Sequence, residues 1–123
     1  MRQNRKLLQK RNDSMNLLDR HAKIHRNCVK TSPGETDGHA RIKFEISRAL
    51  QEMGIEYVTE AIFKDRKGRA DIFVLDNCMA IEIVGTETAE SIEMKMKKYP
   101  CELVVVSTDK GIDAAVDKIR WLM

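Results

Sequence analysis

Two short apolar segments, each interrupted by a single acid, constrain this chain more than any other part of its 123 residues. Segments 70–75 and 79–84 have the length and β-branched content of strands, and the residues between them are typical of a tight turn. Asp71 lies in the first segment and Glu82 in the second. Because an unpaired buried carboxylate is strongly destabilising, each acid needs a cation or a donor beside it. Two such acids on neighbouring strands also offer the oxygen ligands that a divalent metal prefers.

The remaining patterns predict helices and further strands around these two segments. Helical periodicity and apolar runs after residue 34 predict the order α-β-β-β-α-β-α. The predicted bounds are 39–53, 55–63, 69–75, 79–84, 87–99, 102–107 and 111–122. The helix over 87–99 should turn Ile92, Met96 and Tyr99 inward, and the fully apolar run 103–106 predicts a strand buried on both faces. The chain is therefore predicted to be α/β, with a four-stranded mixed sheet flanked by helices.

The N-terminal 34 residues differ from the rest in charge. They contain nine Lys or Arg and two Asp, a formal charge of +7; since the whole chain carries +3, residues 35–123 carry −4. Segment 2–27 lacks Gly and Pro, which predicts one long helix or two short ones. We therefore divide the chain into a basic helical arm, residues 1–34, and a body, residues 35–123. A basic arm suits contact with phosphate backbones, although a solvated basic helix explains the charge equally well. The candidate nucleic-acid contacts are Arg5, Lys6, Lys10 and Arg11.

A possible metal-ligand spacing lies within the arm. On a helix, His21, His25 and Cys28 would share one face, as zinc ligands do. No fourth ligand lies nearby in the sequence, so solvated histidines on a basic helix are the simpler interpretation.

Composition indicates where the protein works. Three widely spaced cysteines without a CxxC pair favour free thiols in a reducing, cytoplasmic setting. No apolar run approaches the ~18–20 residues of a membrane span. The N-terminus lacks the apolar stretch of a secretory signal. We therefore expect a cytoplasmic protein without membrane contact.

The order of these features resembles the PD-(D/E)xK nuclease superfamily. Asp71, ten further residues and then Glu82, after a helix and one earlier strand, match that family's Asp and Glu in order and spacing. The resemblance covers the chain from His39 onward and implies the restriction-endonuclease-like fold. One position departs from the pattern, because Val84 stands where the family keeps a lysine two residues after the glutamate.

One branch of that family, the competence-protein nuclease-like domains and resolvase-like relatives, resembles the chain further. Members of this branch often replace the same lysine, carry a glutamate on the first strand and begin the preceding helix with a histidine. Glu60 and His39 match those two positions. An odd-sum register of the first hairpin would place Glu60 on the same face as Asp71 and diagonal to it, whereas an even register would turn it away. For His39, a solvated position at a helix start is the alternative.

The resemblance implies a site that binds Mg²⁺ or Mn²⁺ through Asp71, Glu82 and Glu60. It also implies an acid on the first body helix facing the metal, for which Glu45 is the candidate; a salt bridge to a neighbouring arginine is the alternative. The missing cation could come from the following helix, where Lys95 flanks the buried stripe, although a solvated basic face explains that lysine too. Thr86 and Ser91 could donate to a phosphate or cap that helix.

Three functions fit the sequence. The first is a metal-dependent DNA endonuclease, resolvase- or repair-like, for which a homodimer is a plausible assembly. The second is a catalytically inactive nuclease fold that serves as a DNA-binding or assembly module, with Val84 marking the lost activity. The third is a regulatory or structural protein whose sheet places two acids in this way without catalytic purpose.

Overall fold

The computed structural model describes residues 2–123, with side chains from residue 4 onward, as an α/β fold. A four-stranded mixed sheet is flanked by helices, which confirms the predicted class. The elements are α1 Arg2–Met15, α2 Asp37–Glu52, β1 Tyr57–Ile62, β2 Arg69–Val74, β3 Met79–Val84, α3 Ala89–Lys98, β4 Glu102–Ser107 and α4 Gly111–Leu122. Within residues 2–123, no helix combines the length and apolar character needed to cross a bilayer.

The sheet follows chain order, β1-β2-β3-β4. The first three strands are antiparallel neighbours, and β3 pairs with β4 in parallel, with α3 as the crossover. Tyr57 lies opposite Val74, so the first hairpin has the odd-sum register. In the β2–β3 connection Cys78 adopts a left-handed backbone conformation with φ +54°, as tight turns between antiparallel strands often require.

Helix α2 sits where its local signals predict. Thr36 caps its N-terminus by accepting a hydrogen bond from the His39 backbone at 3.2 Å, and Gly54 follows its C-terminal end with φ +70°. Helices α2 and α4 bury their apolar stripes on one face of the sheet. That core includes Ile42, Ile46, Leu50, Ile72, Ile81 and Ile119.

The other face of the sheet carries a second core. The rings of Phe63 and Phe73 meet edge-to-face with centroids 5.2 Å apart, and Tyr99 packs on Phe63 at 5.1 Å. Leu18 from the N-terminal segment is also buried there. The sheet therefore has a core on each face, one under α2 and α4 and one that uses the N-terminal segment.

The predicted helix over residues 2–27 is wrong in its second half. Helix α1 ends at Met15, and the chain then runs beside β1, with Leu18 bridging Phe63 and Arg26 bridging Val58. The Asn27 amide donates to the Tyr57 carbonyl at 2.8 Å. The backbone groups of this segment pair with a sheet edge instead of with each other, so helical periodicity does not apply. The boundary at residue 34 stays a prediction.

The zinc alternative fails for the same reason. His21, His25 and Cys28 do not lie on a helix, so their sequence spacing does not place the three side chains on a common face. Among residues 2–123, no group of three or more His, Cys, Asp or Glu side chains is placed to hold a metal ion. The three cysteines are free thiols.

Two predictions for the last αβ unit are also wrong. Strand β4 was expected to be buried on both faces, yet it is an edge strand, and Val106 is its only fully buried residue. Met96, expected to face inward, is 56% exposed, whereas Tyr99 is buried as predicted. Several apolar residues of α3 and β4 therefore remain exposed or only partly buried in the single chain.

Candidate functional site

Glu60 and Asp71 lie opposite each other at an irregularity of the first hairpin. The β1–β2 pairing continues on both sides of them, and by its register Glu60 faces Asp71 directly instead of diagonally. Glu60 has φ +50°, which is rare for a residue with a side chain. Val58 and Ala61, three residues apart, consequently pack in the same core, which regular strand alternation would not allow. The change of alternation turns Glu60 away from that core and toward α2.

Asp71 is held by two donors. Its Oδ2 atom accepts a hydrogen bond from the Ile83 backbone at 2.8 Å and lies 3.2 Å from His39 Nε2. Burial alone would raise the pKa of Asp71, but the hydrogen bonds from His39 and Ile83 outweigh it and hold the pKa below its ordinary value. The same contact with Asp71 raises the pKa of His39, whose Nδ1 atom bonds Glu35. His39 is thus a cationic bridge between two carboxylates.

Glu82 differs from Asp71 in that its pKa is raised instead of lowered. Its side chain is 5% exposed, and burial, followed by the negative charge of Asp71, raises its pKa to about 7. The Tyr99 hydroxyl lies 2.7 Å from Glu82 Oε1 and 2.6 Å from the Arg69 carbonyl. The phenol has one proton, which it can donate to either of these two acceptors; when Glu82 is protonated, Tyr99 can donate to the Arg69 carbonyl and accept from Glu82. Asp71 and Glu82 thus form a carboxylate pair in which Asp71 is ionised and Glu82, with a pKa of about 7, exchanges its proton near neutral pH.

Lys95 reaches this pair from α3. Its Nζ atom lies 3.3 Å from Glu82 Oε2 and 2.8 Å from Glu87 Oε2. Burial would lower the pKa of Lys95, but the hydrogen bond to Glu87 and the charge of Glu82 raise it. Val84 is 8% exposed and does not line the cleft that these residues share. A cation is thus present beside the second acid, although it comes from a different element than the family pattern provides.

A buried lysine that we did not single out from the sequence connects the site to α2. The Lys43 side chain is fully buried, with Nζ 2.7 Å from Glu35 Oε2 and 2.9 Å from Glu60 Oε1. Arg69 Nε lies 3.3 Å from Glu60 Oε2 on the cleft side. His39 and Lys43 lie one turn apart on the same face of α2, and Glu35 precedes the N-cap Thr36 at the same four-residue interval. That interval was the available sequence signal.

These groups surround one cleft of about 570 Å³ at the end of the sheet. Of the predicted catalytic residues, the structure brings five to the wall of this cleft and leaves out Glu45, which is half-buried on α2. Thr86 lines the cleft, whereas the Ser91 hydroxyl does not and donates to Glu87 at 3.3 Å. The five that meet there are His39, Glu60, Asp71, Glu82 and Lys95.

The four candidate nucleic-acid contacts on α1 do not line this cleft. Arg11 is engaged at the opposite end of β2, where its Nε donates to Asp76 Oδ1 at 2.8 Å, so it is not available to a phosphate. Asp71 lies near the start of β2 and Asp76 lies beyond its end at Val74, so about 10 Å of strand separates them. The other predicted nucleic-acid contacts, Arg5, Lys6 and Lys10, are exposed on the same helix. Arg11 therefore stabilises the fold beyond the end of β2 and does not contribute to the cleft.

Comparisons with protein-family models, with curated proteins and with solved structures find no match to this chain. A function for the protein therefore follows only from the chemistry of the cleft.

Proposed function

We propose that this protein is a metal-dependent DNA endonuclease of the PD-(D/E)xK type. The observation that carries the proposal is the meeting of Asp71, Glu82 and Lys95 in one cleft, with a pKa of about 7 for Glu82. Strongly perturbed acids that share a cleft with a cation are more frequent at catalytic sites than elsewhere. The element order from α2 to α4 agrees with the restriction-endonuclease-like core that the resemblance implies.

Lys95 is the proposed replacement for the lysine missing at position 84. In this family that cation offsets charge developing on the phosphorus or orients the attacking water. The Lys95 amine lies beside Glu82, which is the acid that the family's lysine follows in sequence. Arg69 is 62% exposed at the cleft, and it can meet a second phosphate oxygen when it turns from Glu60, its partner at 3.3 Å. Lys95 and Arg69 thus provide two cationic groups that can bind a phosphate backbone in a cleft lined by several carboxylates.

The carboxylate pair fits Mg²⁺ or Mn²⁺ with the chain's own residues as a partial ligand set. Magnesium sites commonly use one or two carboxylates and complete their coordination with water and substrate phosphates, so the lack of a third clustered ligand among residues 2–123 is compatible with such a site. Asp71 and Glu82 would hold the ion. Glu60 is already paired with Lys43 and Arg69, so it would contribute only after one of these contacts is released. When bound, such an ion polarises a phosphodiester and lowers the pKa of a bound water.

The activity test compares variants inside and outside the cleft. Purified protein is incubated with Mg²⁺ or Mn²⁺ and end-labelled duplex, nicked, branched and single-stranded DNA. Asp71→Asn and Lys95→Met should each reduce cleavage by about 100-fold or more. Glu45→Gln, on the same helix as His39 but outside the cleft, should cleave at the wild-type rate. Wild-type protein that cleaves none of these DNAs, or an Asp71→Asn variant that cleaves normally, contradicts the proposal.

A second candidate is a nuclease fold that binds DNA without cutting it. Lys95 contacts both Glu82 and Glu87, and both of these carboxylates must release it before it can meet a phosphate. Because the cleft's own acids already neutralise Lys95, this arrangement favours a protein in which the lysine does not take part in cleavage. Under this candidate, DNA binding weakens steeply with salt and no cleavage accompanies it with either metal.

A further inference from the structure

The two edges of the sheet differ in whether another segment of the chain pairs with them. Segment 18–30 runs along the outer side of β1, where Asp19 donates its amide to the Ile62 carbonyl at 2.9 Å and Asn27 to the Tyr57 carbonyl at 2.8 Å. The outer side of β4 receives no such segment within residues 2–123. An uncovered edge presents unpaired amides and carbonyls, and proteins usually protect it by length, charge, proline or a cover.

Strand β4 lacks most of these protections. Leu103, Val104 and Val105 are only partly buried, and no proline or charged residue interrupts the strand between Glu102 and Ser107. One long side chain reaches the edge, since Lys118 Nζ donates to the Val105 carbonyl at 2.6 Å. A lysine on a flexible stem can move aside at little cost, whereas apolar residues in this number are normally covered.

We propose that the β4 edge pairs with β4 of a second copy of this chain, antiparallel and about a two-fold axis through Val105. The contact of Lys118 with the Val105 carbonyl shows that Val105 turns its backbone groups outward. In an antiparallel pair, residues with outward groups exchange both hydrogen bonds with the residue opposite. Val105 then pairs with its own copy, and Leu103 lies opposite Ser107 of the partner subunit. The two four-stranded sheets become one of eight strands.

The charges at the two ends of β4 favour a second copy over an unrelated strand. Exposed Glu102 begins the strand, and exposed Lys110 lies three residues after its end. With Val105 on the axis, Glu102 lies beside the short 3₁₀ turn, Thr108–Lys110, that follows β4 of the partner subunit. Glu102 and Lys110 of the partner subunit therefore approach each other, and the symmetry repeats this pair. An isologous interface requires such self-complementarity, which a parallel alignment of the same strands would not provide.

This pairing also fixes how far apart the two clefts lie, whatever reaction they carry out. Val105 is the register partner of Glu82 on β3. Three interstrand spacings therefore separate Glu82 from Glu82 of the partner subunit, about 15 Å between their Cα atoms. Two carboxylate pairs would thus open toward a common ligand from one continuous sheet.

The first test measures association of the full chain by sedimentation equilibrium, comparing wild type with Val105→Pro and Val105→Ala. Proline removes the outward amide at an edge position that tolerates it, and alanine keeps the amide while also shortening the side chain. Wild type and Val105→Ala should form dimers at about 100 µM chain, and Val105→Pro should be monomeric. Circular dichroism confirms that each variant is folded. A monomeric wild type, or a folded Val105→Pro that dimerises like wild type, overturns the proposal.

A second test uses only exposed residues, so folding is not at risk. Glu102→Lys and Lys110→Glu each place like charges together across the axis and should weaken the dimer about tenfold. The double variant reverses both pairs and should restore wild-type association. Restoration shows that Glu102 and Lys110 of the partner subunit meet across the axis, as they do when two β4 strands pair antiparallel about their centre. Single variants that associate like wild type, or a double variant that stays as weak as the singles, rule the register out.

Discussion

Replacing Glu82 by glutamine should make the folded protein more stable at high pH. Burial and the charge of Asp71 raise the pKa of Glu82 from 4.5 to about 7 in the folded chain. The folded state therefore holds this proton more tightly than the unfolded chain does. The resulting stabilisation is complete below pH 4.5 and is lost as the pH rises through about 7. At 1.36 kcal/mol per pH unit, the loss is about 3 kcal/mol.

The measurement is the free energy of unfolding in urea between pH 4 and pH 8.5, followed by far-UV circular dichroism without divalent metal. Wild type and Glu82→Gln should be similar near pH 4.5, because glutamine resembles the protonated acid. At pH 8 the variant should be more stable by about 3 kcal/mol. His39 titrates in the same direction, since its pKa is also raised, so the difference between the two proteins isolates Glu82. The pKa of Asp71 is lowered, so the stabilisation that Asp71 contributes to folding is lost only at acid pH, below the range in which Glu82 titrates.

Glu93→Gln, at an exposed position of α3, is the matched control and should follow the wild-type curve. Adding Mn²⁺ at pH 8 should stabilise wild type and leave Glu82→Gln unchanged, because an ion that binds only the folded carboxylate pair shifts unfolding by mass action. If wild type and Glu82→Gln give parallel curves from pH 4.5 to pH 8, Glu82 is not a buried acid with a retained proton. The geometry that supports the cleft's chemistry would then be wrong.

Two further substitutions test the structure around the cleft. Lys43→Met leaves two buried carboxylates without their shared cation and should lower the free energy of unfolding by about 3 kcal/mol, whereas Arg120→Met, which removes an exposed pair, should leave urea denaturation almost unchanged. Gly68→Ala should destabilise the fold by about 2–4 kcal/mol, because Gly68 has φ +110° and an added Cβ would lie 2.6 Å from Tyr99 Cε1. Gly34→Ala meets no atom within 4 Å and should have no such effect on thermal unfolding; equal values for the two alanine variants would contradict the packing of Tyr99.

Local sequence patterns predicted most of the body. Strands Met79–Val84 and Glu102–Ser107 and helix Gly111–Leu122 have the predicted bounds, because alternation and helical periodicity depend only on neighbouring residues. The acids Asp71 and Glu82 were identified for a similar reason, since each is an isolated charge within an apolar strand. Their roles in metal binding and catalysis remain predictions.

Long-range pairing decided what the sequence alone could not. The helix after Met15 was mispredicted because its backbone donors pair with a strand about 40 residues away, and no local signal carries that competition. Only the fold joins Lys43 to Glu60 and turns Glu60 toward it by a left-handed residue inside a strand. The composition of 103–106 predicted burial on both faces, whereas the strand order leaves β4 at an edge of the sheet. The sequence by itself determined which segments are apolar, helical or extended; the tertiary structure decided which charges meet and which edge stays open, because those depend on the order and register of strands distant in the chain.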